Sequence, residues 1–175
     1  MPTIIDTLLH QFYVVSLFGD SIFVFLIITS LLLLFLLKNF YQKEAYILII
    51  SNASYAYSVL LKYLFKHPRP ITADFDSLNF FDYYSFPSTH VLVYTAFWGY
   101  ILYVLVKKIR KEKKKLAFHA LAWISVYFIT FVGASRIALG MHNLKDVIAG
   151  YFFGLTYLLF LIFLDKKFDK IFSKN

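Results

Sequence analysis

The sequence predicts an all-α fold, a polytopic bundle of transmembrane helices, on three observations. Hydrophobic residues make up 60% of the 175 positions and charged residues only 16%, a balance foreign to soluble domains. Five apolar runs, near 20–37, 45–66, 88–106, 116–135 and 146–164, are each long enough to cross a hydrocarbon core about 30 Å thick, which takes roughly 20 helical residues. None of the five alternates in the manner of a barrel strand, and backbone groups in lipid must be paired internally, so the runs are helices. No linker, low-complexity stretch or repeat interrupts the chain, and one membrane domain over 1–175 is expected.

The elements follow in order. The segment 4–18 is broken by Asp6, His10 and Gln11 and suits an amphipathic helix lying in the interface; forcing it across the membrane gives a six-span variant. No basic residue precedes the first long run and no small-residue cleavage site follows it, so a secretory signal is not expected. The second run carries Ser51, Ser54, Ser58 and Lys62 at helical spacing, a stripe that should face the bundle interior. It ends where Pro68 and Pro70 flank Arg69, because proline disfavours helix in the residue before it. The third run starts at Pro87-Ser88-Thr89, a helix-opening pattern, and the fourth closes on Ser135 and Arg136. The fifth opens with Asp146 and carries Gly150 and Gly154, a spacing that lets helices pack closely.

The net charge of +8 is concentrated, with seven of the eighteen basic residues between 107 and 115. Such clusters suit anionic lipid headgroups, and no nucleic-acid motif accompanies them. The lysine and arginine bias puts the 107–115 loop, the 38–43 connection and the 166–174 tail on the cytoplasmic side. The N-terminal segment, the 67–86 loop and the 135–146 connection then share the outer side. With no cysteine, disulfides, thiolate metal sites and cysteine nucleophiles are excluded, and no metal-ligand cluster of suitable spacing is evident.

Three polar cassettes, 62–70, 87–90 and 135–146, converge on that outer side. Ionisable residues at such depth are costly and are retained where they line a site or a path. Lys62 and Arg69 together can clamp a phosphate, although either alone could simply snorkel to the interface. Ser88 and Thr89 open a helix, whose unpaired N–H groups favour an anion, and His90 follows in the first turn; helix capping alone would also explain this pattern. His142 and Asp146 are four residues apart, so the carboxylate can engage one imidazole nitrogen and leave the other as a lone pair. An isolated pair at this spacing can also be a structural hydrogen bond.

The combination K-x6-R-P, P-S-x-H and S-R-x5-H-x3-D resembles the type 2 phosphatidic acid phosphatase superfamily, over about half of the chain. Where the second family motif usually has glycine, this chain has Thr89, whose peptide N–H is retained. The resemblance implies His142 as the nucleophile forming a phosphohistidine, Asp146 as its orienting group and His90 as general acid and then base. It likewise implies Lys62, Arg69, Ser88, Thr89 and Arg136 as the phosphate ligands, with no metal and no cofactor. The substrate implied is a lipid phosphate in the bilayer, with no nucleic acid and no obligatory protein partner. The small size and lysine-rich loops resemble bacterial members, which implies a multi-pass protein of the inner (cytoplasmic) membrane with its site facing the periplasm or exterior. Among those members a lipid A 1-phosphatase is the leading expectation, with undecaprenyl diphosphate and phosphatidylglycerol phosphate as alternative substrates. A vanadate-dependent haloperoxidase shares the cradle but is soluble in its known forms. An alternative of another class is a non-catalytic anion-binding membrane protein. Phe80, Phe81, Tyr83, Tyr84 and Phe86 fit an aromatic belt beside the entrance, or simple interfacial anchoring.

Overall fold

The computed structural model describes residues 4–20, 22–38, 41–68, 84–111 and 116–172. They form α1 (Ile4–Asp20), α2 (Ile22–Lys38), α3 (Gln42–Ser51), α4 (Ser54–Phe65), α5 (Thr89–Lys111), α6 (Leu116–Ala138) and α7 (Leu144–Phe172). The all-α polytopic bundle is therefore present. Four stretches are long and apolar enough to cross a membrane: Gln42–Phe65, Thr89–Ile109, Leu116–Ala138 and Leu144–Asp169. Helix α2, at 17 residues, contributes a shorter apolar stretch, Ile27–Lys38.

The expected continuous helix over 45–66 is instead divided into α3 and α4 at Asn52 and Ala53. Local chemistry explains the break. The Ser51 hydroxyl and the Asn52 side-chain amide both donate to the Leu48 carbonyl, and the Tyr157 hydroxyl takes the Ile50 carbonyl. The Asn52 and Ala53 N–H groups consequently bond three residues back, to Ile49 and Ile50, in a tightened turn.

Helix α5 is the axis of the bundle and is buried at every position from 91 to 101. A helix that is apolar all round belongs in such a place. Its side towards α7 is set by the two glycines of α7. A Cβ at Gly150 would stand 2.8 Å from the Val91 Cβ and 3.0 Å from the Ser88 carbonyl oxygen; one at Gly154 would stand 2.8 Å from the Leu92 carbonyl oxygen. Backbone therefore lies against backbone where α5 and α7 begin. The aromatic core continues around α5, where Trp98 stacks on Phe128 of α6 with ring centroids 4.8 Å apart.

Helix α1 is tied to this core. Its Val15 and Ser16 are buried, and the Tyr94 hydroxyl of α5 donates to the Val15 carbonyl at 2.6 Å.

The opposite end of the bundle holds a buried ionic network that the sequence pattern does not reveal. Asp165 is fully buried, with Lys43 at 2.7 Å and Lys107 at 3.1 Å, and it accepts from the hydroxyls of Tyr100 at 3.2 Å and Tyr103 at 3.1 Å. Asp169 takes the same two lysines at 2.6 and 2.8 Å, while Lys108 pairs with Glu44 at 3.3 Å and lies over the Tyr41 ring. Lys43, Lys107 and Lys108 thus balance Glu44, Asp165 and Asp169, so these three lysines, the first buried and the other two partly exposed, are engaged by carboxylates of the bundle and not wholly by headgroups. Removing one partner of a buried pair leaves a charge uncompensated, which costs about 3–5 kcal/mol. Asp165→Ala is expected near the lower limit, about 3 kcal/mol, because Asp169 keeps both lysines partnered. A thermal midpoint in detergent equal to that of the unaltered protein would contradict the clasp.

Candidate active site

Helix α4 ends because Lys66 adopts the left-handed conformation, φ 48°, two residues before Pro68. The departure from helix near His67 is thus where the proline pattern places it. Ser51, Ser54, Ser58 and Lys62 are all buried, as their spacing predicts. The Lys62 ammonium donates to the Tyr84 carbonyl at 2.8 Å and so bridges the two ends of the 67–86 connection. Those ends are also held by an antiparallel bridge between Pro68 and Tyr84 and by the Ser85 N–H on the His67 carbonyl at 2.8 Å. Arg69, Phe80, Phe81 and Tyr83 lie outside the described residues, as do 112–115 of the basic loop. Of the aromatic set, Phe86 packs edge-on to Phe65 with centroids 5.0 Å apart.

At the start of α5, Ser88 occupies the N-cap position: its carbonyl accepts the first helical bond, from Leu92 N–H at 3.0 Å. Its own N–H donates to the Asp146 carbonyl at 3.0 Å, which ties the beginnings of α5 and α7 together. The Ser88 hydroxyl is buried and has no hydrogen-bond partner among the described residues. A buried orphan oxygen is costly unless a ligand or an ordered water meets it. Thr89 accepts a hydrogen bond from Ser58 at 2.9 Å. Among the described residues positive φ occurs only at Lys66 and Gly140, so Thr89 sits in its motif without the backbone conformation that would require glycine. His90 lies one turn before Tyr94, with the ring centroids 6.3 Å apart.

The turn from α6 to α7 is built by Gly140, φ 68°. Its N–H bonds the Ile137 carbonyl at 3.0 Å and the Met141 N–H bonds the Arg136 carbonyl at 3.1 Å, the paired bonds of a Schellman C-cap. The His142 N–H joins the same Arg136 carbonyl at 3.2 Å, so one backbone oxygen fixes where the imidazole begins. Asn143 then caps α7, its carbonyl accepting from Asp146 N–H at 3.0 Å. In return the Asp146 carboxylate accepts the Asn143 N–H at 3.1 Å, the reciprocal half of a capping box. The same Oδ2 stands 3.4 Å from His142 Nδ1. That is long for a hydrogen bond, and catalytic hydrogen bonds commonly tighten only when substrate is bound. Both residues are buried. Arg136 is 2% exposed, and its Nη1 donates to the Ser16 hydroxyl of α1. Ser135 turns into its own helix, donating to the Val132 carbonyl at 2.7 Å.

These contacts bring Lys62, Ser88, Thr89, His90, Arg136, His142 and Asp146 to one end of the bundle. The clasp around Asp165 lies at the other; from Thr89 to Lys107 is 18 residues of α5, a rise of about 27 Å. Among the described residues the buried charged groups thus fall into two separated sets, and only the set built from the cassettes contains histidine. The model of the PAP2 superfamily matches residues 20–169, a span that includes every one of these cassette residues. This chain belongs to the PAP2 superfamily. Phosphatidylglycerophosphatase B of Bacillus subtilis (strain 168) is 32% identical over 136 residues, which cover 75% of this chain and 62% of that protein. Lipid phosphate phosphatase delta of Arabidopsis thaliana is 26% identical over 101 residues, 58% of this chain and 24% of the plant protein. The aligned part thus spans less than two thirds of either relative. No solved structure matches the chain significantly.

Gly140, inside the third cassette, carries a legible signal, a glycine closing a helix. Two other neighbours of these residues escape the sequence motifs. Tyr94 is one turn beyond His90, yet its tie to Val15 bridges 79 residues, and Ser16 meets Arg136 across 120. No local pattern announces either contact.

Proposed function

We propose that this single-domain protein is an integral membrane lipid phosphatase that removes a phosphate group from a lipid headgroup through a phosphohistidine. The observation that carries the reading is the buried Ser88 hydroxyl, without a partner among the described residues, at a helix start joined by a backbone hydrogen bond to Asp146 and the His142 pair. With Nδ1 directed at Asp146, the His142 Nε2 lone pair attacks phosphorus as the bond from phosphorus to the lipid oxygen breaks. His90 gives its proton to that departing oxygen. It then takes a proton from water as the water oxygen attacks phosphorus and the P–N bond breaks, which releases inorganic phosphate and restores His142. Lys62, Arg69 and Arg136 neutralise the charge on the non-bridging oxygens, while the Ser88 hydroxyl and Thr89 N–H orient them. Phosphoryl transfer needs in-line positioning and charge stabilisation above all, and a cluster of cations supplies the second.

Phosphatidylglycerol phosphate is the substrate we put first, because the relative from Bacillus subtilis is a phosphatidylglycerophosphatase; it moves ahead of lipid A 1-phosphate on that ground. The proposed location is a bacterial cytoplasmic membrane with the site on the outer side. The lysines clustered at the far end support this orientation through the positive-inside bias. The test is phosphate release by the purified full chain in detergent from phosphatidylglycerol phosphate, a prenyl diphosphate and lipid A 1-phosphate. Release that is fastest from the first, insensitive to EDTA and blocked by orthovanadate is expected. A folded protein that releases phosphate from none of the three would overturn the enzymatic reading and leave anion binding without turnover.

Two imidazoles with opposite starting states also set the pH dependence. The nucleophile must be neutral and the acid protonated, and an ordinary imidazole titrates near about 6.5. The rate should fall on the acid side as His142 takes a proton and on the alkaline side as His90 loses one, a bell-shaped kcat/KM. A profile flat from about pH 5 to 9, a window spanning the ordinary imidazole range, would contradict two histidine roles.

A further inference from the structure

We infer that Ser16 of α1 is a positioning residue of the phosphate site, acting through Arg136. This rests on the reading of Arg136 as a phosphate ligand and extends it to a helix outside all three motifs. Ser16 is 1% exposed and Arg136 2% exposed, and the guanidinium Nη1 donates to the Ser16 hydroxyl oxygen. A guanidinium is a rigid planar fork of five donors, so fixing one N–H fixes the direction of the others. The adjacent residue holds α1 in place from the other side: the Tyr94 hydroxyl donates to the Val15 carbonyl at 2.6 Å, and Tyr94 lies one turn from His90 with its ring beside the imidazole. Two consecutive residues of α1 thus brace one cation directly and one imidazole through its neighbour. Simple helix packing needs neither hydroxyl.

The test is orthovanadate binding to the full chain in detergent, measured by calorimetry, because it reads the anion cradle without requiring turnover. Ser16→Ala is expected to weaken vanadate binding about tenfold, the loss of one hydrogen bond to a charged group, in a protein that remains folded. Ser125→Ala should bind as the unaltered protein does. In an Arg136→Lys background, where the planar fork is gone, Ser16→Ala should change affinity by less than about twofold, since coupled residues are non-additive. Equal affinity in Ser16→Ala and the unaltered protein would overturn the inference, as would the same tenfold loss in both backgrounds, which marks a merely structural role. A protein that binds vanadate and shows these differences, yet releases no phosphate from any lipid, would overturn the phosphatase reading and leave the role of Ser16 standing.

Discussion

His142→Ala should abolish lipid phosphate hydrolysis in a protein that remains folded. Removing a nucleophile that acts as one unit with its partners typically costs on the order of 10⁴- to 10⁶-fold in kcat, with a residue of activity left by binding and charge stabilisation alone. Folding should survive, because the turn that carries His142 is held by backbone bonds to the Arg136 carbonyl, which any residue can make. Asp146→Asn is the more ambiguous change. Its carboxylate both faces His142 Nδ1 and accepts the Asn143 N–H that begins α7, so a loss of activity there mixes chemistry with helix capping. Phosphate release measured beside the thermal midpoint separates the two. Substantial turnover by a folded His142→Ala protein would remove this histidine from the mechanism.

Arg136→Ala is the second large effect. A donor aimed at charge that develops during the reaction is worth about 10²- to 10³-fold, and the supply of a guanidinium to a transferring phosphoryl group can exceed that. We expect at least about 10³-fold in kcat/KM, equivalent to about 4 kcal/mol of transition-state stabilisation. Arg136→Lys keeps the charge and loses the fork, so it should retain part of the activity and fall between the two. Because Arg136 is buried against Ser16, the alanine variant also leaves that hydroxyl without its donor. Circular dichroism and the thermal midpoint are therefore needed to show that the loss is one of rate. Arg136→Ala with kcat/KM within tenfold of the unaltered protein would contradict its place among the phosphate ligands.

Much of this architecture is legible in the chain because a bilayer permits so few alternatives. The run 116–135 became α6 and 88–106 became α5, each with small shifts at its ends, since length and apolarity alone specify a spanning helix. The serine stripe from Ser51 to Lys62 turned inward because polar groups in such a helix avoid lipid. The glycines Gly150 and Gly154 packed as their spacing implies, and that contact sets the Ser88 carbonyl over α7. What escaped the sequence is non-local or depends on competing hydrogen bonds. The break at Asn52 arises from side chains competing for the Leu48 and Ile50 carbonyls, one of them reaching from Tyr157 across 107 residues. The clasp at Asp165 draws its lysines from α3 and α5, so a charge count reads it only as a basic surface. Ser16 has no motif at all; its meaning comes from the guanidinium it faces.

The central claim is a covalent bond between phosphorus and one ring nitrogen, and it can be observed directly. The purified full chain would be mixed with phosphatidylglycerol phosphate, quenched within milliseconds in alkali, where phosphohistidine survives, and mapped by peptide mass spectrometry. A phosphate on the peptide bearing His142, absent from His142→Ala and labile to acid, is the expected result. Rapid phosphate release with no phosphorylated histidine, or with the label on His90 in place of His142, would contradict the account.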